Sequence, residues 1–505
     1  MKLNQIALAV AAMAAAPAFA LTPGQVGGAT SLWITGASAP TNSVFLGAMT
    51  LCQGMKYKDA AGVERTNPGS IDAHFYLEGT SGVEPGKSGA GDRIAYACTV
   101  RTFDGRAGVL ENTKLVLYHT VEGGSFNAYT PALALAGDTN ANIPATLRRI
   151  EEVADLGGTG KCAAGVATDT TVSVSGVNNV IPRYNGCSLT VVTLATGAKD
   201  RATDAGPVTS IGGYSDTEFL INKLNLGVAT DLSSIGSEVN TNIGQGFGVA
   251  VSYPLYAQLQ KNDGLINTVA NDGEPCDGNY TSPACQPGLP AQVYSTVAWR
   301  DAAGSIDASL FGGAVSGKVN LARRAITSGT QSASNLRFLN TPCATGDAAG
   351  ALAPTRAGSY NGGKFVVTEQ SGTSGVKTVL NTATGAGEFG LGIMSLENTP
   401  APTATADRWA FVKLNGITPN LAAGDTFQRA EAIKGNYDFW YELMAFTAAT
   451  APQAGIDLLA SINASLANPE LTNLKGLFLT PLAGVTGSNV SKGTRFGNSC
   501  QVIGQ

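Results

Sequence analysis

The run Arg323-Arg324-Ala325-Ile326-Thr327-Ser328-Gly329-Thr330-Gln331 joins an apolar stretch to a helix-forming one. The pattern predicts a strand over 317–325 and a helix over 330–339. Ser328 and the N–H groups of Gly329, Thr330 and Gln331 then stand at a helix start. Those amides lack helical acceptors, and the positive end of the macrodipole lies there, so the position suits an anion. Arg324 adds a planar guanidinium. A hydroxyl-capped helix beside a surface arginine would read the same locally.

Two further segments combine glycine, small hydroxyls and one charge: Gly212-Gly213-Tyr214-Ser215-Asp216-Thr217-Glu218 and Glu78-Gly79-Thr80-Ser81-Gly82. Each reads by itself as a turn. Around them, helices are expected over 44–55, 255–265, 437–449 and 454–466. Strands are expected over 115–118, 171–174, 190–193, 246–254, 365–367 and 390–394. Residues 157–213 are β-rich, and 273–290 form a turn-rich loop. Strands and helices alternate without a fixed repeat, which predicts a mixed α/β fold.

The chain of 505 residues has 44% hydrophobic and 14% charged residues, with a net charge of -5. Its length suits two or three domain-sized lobes. No basic stripe supports a nucleic-acid partner. Residues 1–20 read as a signal peptide: Lys2, an apolar run over 6–16, then Ala18-Phe19-Ala20. No later run is long enough to span a membrane. The expected location is periplasmic or secreted. The eight cysteines fit up to four disulfides there, paired in order as 52–98, 162–187, 276–285 and 343–500.

Other chemistry finds little footing. There is no GxSxG elbow and no CxxC pair, and the histidines, His74 and His119, carry no motif. Glu84-Pro85-Gly86-Lys87-Ser88 is half a phosphate loop, with Ser81 where glycine is needed. Asp301 and Asp307 read as solvated. No catalytic residue, metal or cofactor is expected.

Taken in order, the segments resemble the phosphate-binding branch of the type II periplasmic solute-binding proteins. Ile34-Thr35-Gly36-Ala37-Ser38-Ala39-Pro40 looks like its opening motif, and Thr80-Ser81-Gly82 like its phosphate turn. Tyr214-Ser215-Asp216 is similar to its Ala-Ser-Asp motif. Phe247 to Val251, followed by Leu255-Tyr256, looks like its crossover, and Arg324 to Thr330 fits Arg-x-x-x-Ser-Gly-Thr. The stretch 83–210 is longer than its equivalent there, and 435–441 resembles the return helix loosely.

The resemblance implies two α/β lobes with large β and loop insertions. Lobe 1 would be 21–246, with its insertion at about 100–210, and lobe 2 would be 247–420. Residues 421–505 would return to lobe 1. It implies a small oxyanion such as phosphate in the interlobe cleft, held by Ser38, Thr80, Ser81 and Asp216 from one side. Arg324, Ser328, Gly329 and Thr330 would hold it from the other. A monomer serving an ABC transporter permease is the implied setting. An adhesion or structural protein without a ligand, and a secreted hydrolase, are the alternatives.

Overall fold

The computed structural model describes residues 25–78, 93–153, 168–187, 189–199, 209–267, 273–280, 282–343, 352–400, 408–419, 429–468, 477–481, 487 and 489–504. The expected signal peptide and the Glu84–Ser88 motif lie outside them.

The fold is mixed α/β, built on a large sheet of 15 strands among the described residues. Two sets of parallel strands organise it. In one, Thr30–Gly36 lies between Lys114–Thr120 and Gly212–Ser215. In the other, Val319–Arg324 lies between Phe365–Gln370 and Phe389–Ser395. The central strand of each set is largely buried, as parallel strands covered on both faces require. One long strand, Gly236–Ser252, links the sets. Its first part pairs with Trp440–Ala448, and Phe247 to Val251 pair with Phe389–Ser395. The chain then turns into the helix Tyr253–Asn262.

Separate apolar cores serve the two regions. Phe247, Trp409 and Phe439 belong to one. Phe45, Phe75 and Tyr96 belong to the other. Part of the inserted stretch forms a small antiparallel sheet of Thr146–Ile150, Leu189–Thr193 and Ala198–Lys199.

The helix expected over 437–449, which carries the loose return-helix resemblance, is instead the strand Trp440–Ala448. It is buried almost throughout, between Gly212–Ser215 and Gly236–Ser252. A central strand covered on both faces loses its alternation, so its apolar run resembles a buried helix. The helix expected over 44–55 is Thr41–Met49, starting and ending earlier.

Cysteines 52–98, 276–285 and 343–500 are disulfide-bonded as expected. Cys187 is disulfide-bonded as well, and Cys162 lies outside the described residues. These bridges fit an oxidising compartment. No helix among the described residues is long and apolar enough to cross a membrane.

Candidate functional site

Parallel strands present their carboxyl ends on one side, and open α/β sheets bind ligands there. Both sets do so at one cavity of about 1320 Å³. Ser38, Ser125 and Asp216 follow strands of the first set. Arg324, Thr373 and Glu397 end or follow strands of the second, and all six line the cavity.

Three helices of the described residues begin at its wall: Thr41–Met49, Gly329–Leu339 and Thr373–Ala386. Asn42, Thr330 and Thr373, from their first turns, line it. None of the three has a side-chain cap hydrogen bond. Ser328 therefore does not act as the ordinary cap that its sequence allows. Nor is Arg324 a surface arginine, being 9% exposed.

The Arg324 guanidinium is fixed by two donated bonds. Nη2 donates to Ser371 O at 3.0 Å and Nη1 to Thr373 Oγ1 at 3.3 Å. Its Nε is buried without a hydrogen-bond partner. Asp216, 7% exposed, likewise leaves Oδ1 buried and unpartnered. Burial pushes the Asp216 carboxyl up to about 6, against the opposing pull of the Arg324 charge and the Ser125 hydroxyl. That hydroxyl lies beside Asp216 without a well-formed hydrogen bond. Glu397 is pushed up to about 7, by desolvation first and by the Asp216 charge second. Ser395, Arg324 and Lys377 oppose that rise. Desolvation also lowers the Arg324 pKa. The Arg324 end of the cavity thus brings a buried guanidinium, a nearby lysine and two raised carboxyls together.

The two sides touch directly beside this cluster. Thr327 Oγ1 donates to Gly123 O at 2.7 Å, and Phe126 N donates to Thr327 O at 3.2 Å. Glycine permits the approach. A Cβ on Gly124, whose φ is +103°, would sit 2.6 Å from Thr327 O. One on Gly329 would sit 2.5 Å from Asp216 Oδ2.

Ser38, Asp216, Arg324, Ser328 and Thr330 all line this one cavity. Gly329 packs on Asp216. Thr80 and Ser81 lie outside the described residues. Sequence reasoning missed Ser125, Thr373, Lys377 and Glu397. Ser371-Gly372-Thr373-Ser374, between a strand and a helix, repeats the Ser328-Gly329-Thr330 pattern and was the available signal.

His74 and His119 are buried in the sheet and are not among the lining residues. Desolvation lowers them to about 4 and about 3, which leaves them neutral near pH 7. Asp307 caps a short helix by accepting from Ser309 N, and Asp301 pairs with Arg300 in solvent. Among the described residues, no group of three or more His, Cys, Asp or Glu is placed to hold a metal.

No protein-family model matches this chain, and no curated protein does. Among solved structures, a possible phosphate binding protein from Planctomyces limnophilus DSM 3776 aligns at 12% identity and a TM-score of 0.24. That alignment covers 52% of this chain and 66% of that one, just under two thirds of its length. The PBP AgaA from A. tumefaciens R10, in complex with agropinic acid, aligns at 10% identity and a TM-score of 0.23. There the coverage is 89% of this chain and 99% of that one.

Proposed function

We propose that this chain is an extracytoplasmic solute-binding protein that captures a phosphate-like oxyanion in the cavity. The observation that carries the reading is that Arg324 and Asp216, each holding a buried polar atom without a hydrogen-bond partner (Nε and Oδ1), line one cavity from its two sides. Each costs about 1–3 kcal/mol while unsatisfied. Hydrogen phosphate in the cavity would accept from the Arg324 guanidinium and donate its own proton to the ionised Asp216 carboxylate. Ser328, Thr330 and the amides of Gly329 and Thr330 supply further donors, and three helix starts favour negative charge. Sulfate carries no proton near neutral pH, so it leaves ionised Asp216 unpaired and repelled.

In this reading the two strand sets belong to two lobes, 21–246 with 421–505 and 247–420, hinged at Gly236–Ser252. Ser38 contacts the anion from the first lobe, as Thr80 and Ser81 would. A monomer delivering its ligand to a transporter permease is the matching role, with binding rather than turnover as the activity. The hydrolase alternative would need a base at the cavity, and the buried His74 and His119 are not among its lining residues.

A thermal-shift screen of oxyanions tests the reading. Phosphate at a hundredfold excess over its Kd should add about 2.7 kcal/mol of stability. A ligand-free adhesion role predicts no shift with any anion.

A further inference from the structure

The cavity is far larger than an inorganic anion. A five-atom oxyanion displaces on the order of 100 Å³, at ~30 Å³ per water. The cavity measures about 1320 Å³, although Thr327 already touches Gly123 and Phe126 across its anion end.

Much of the rest is walled by the insertion that sets this chain apart. Asn142, Pro144, Thr146, Leu147, Arg148 and Val191 line it. Arg148 sits on the Thr146–Ile150 strand and is held in place. Its backbone N donates to Glu122 Oε1 at 2.6 Å, and its Nη2 to Glu122 Oε2 at 2.9 Å. Glu122 also pairs with Arg93, which pairs with Glu78. These two arginines and two glutamates cancel in charge, while half of the Arg148 side chain stays exposed. This end therefore offers fixed donors and acceptors without surplus charge. No aromatic side chain is among the described lining residues, so a nucleobase would find no stacking surface.

From this we infer that the ligand is a phosphate monoester of a small polyol. Its phosphate would sit at Arg324, Ser328 and Thr330, and its hydroxyls against Arg148, Asn142 and Thr146. The inference rests on the oxyanion reading. A second anionic group would meet arginines that are already paired, and an apolar body would strand these polar groups.

Calorimetry on the full protein with inorganic phosphate, glycerol 3-phosphate and glycerol tests it. Glycerol 3-phosphate should bind about tenfold tighter than phosphate, the increment of one added charge-assisted hydrogen bond. Arg148→Ala should cut that ratio below about threefold. Asn142→Ala, at an exposed position, should lower it too, and it serves if the first variant folds poorly. Phosphate binding as tightly as the ester, or a ratio unmoved by both variants, would overturn the polyol inference and leave the oxyanion reading standing. Binding of neither phosphate nor ester would overturn both.

Discussion

Asp216→Asn isolates one of the two raised carboxyls in the site. The Asp216 carboxyl rises from 3.8 to about 6 because burial disfavours its charged form more than Arg324 and Ser125 favour it. About two units, at ~1.4 kcal/mol each, amount to about 3 kcal/mol. A carboxyl raised in the folded state binds its proton more tightly there than in the unfolded chain. Stability therefore falls as pH rises from about 4 to about 6, and the loss persists above that range. Replacement by Asn removes this cost and keeps the shape. In urea unfolding of the ligand-free protein, the variant should match wild type near pH 4. At pH 8 it should exceed wild type by up to about 3 kcal/mol. A variant less stable than wild type at pH 8 would refute the reasoning, because it would mean that Arg324 more than offsets desolvation.

Other outcomes follow from the same geometry. Sulfate affinity should rise as pH falls from 8 towards 6, by up to about tenfold per unit, as Asp216 gains a proton to donate. Competition calorimetry across that range reads this, and a flat sulfate profile would count against Asp216 as the discriminating group. Gly329→Ala should cost about 1–3 kcal/mol in urea unfolding, because its Cβ would collide with Asp216 and Ser125. It should also weaken phosphate binding, and wild-type values for both would show that the approach is not tight.

The strand-to-helix junction at Arg324–Gly329 was legible because each local signal agreed there: an apolar strand, a glycine and hydroxyls at a helix start. The same grammar at Ser371–Ser374 carries no charge, and so drew no notice. Glu397 was hidden for a different reason. Its importance comes from Asp216, Arg324 and Lys377, which only the fold brings near it. The Arg148–Glu122 pair joins residues of separate strands and loops, and no local pattern announces such a contact. Trp440–Ala448 was misread because a strand buried on both faces has no alternation to show. Local sequence thus reports where backbone donors gather, and tertiary packing decides which charges face them.

In the proposed binding mode Arg324 and Asp216 hold an oxyanion between them. Calorimetric titration of phosphate into wild type and Arg324→Ala at pH 7.5 tests it most directly. Wild type should show saturable binding to one site. Arg324→Ala should lose at least about thirtyfold in affinity, since truncating one partner of a buried hydrogen-bonded charge pair costs about 2 kcal/mol or more. Equal affinity in the two proteins, or no binding by wild type, would contradict it.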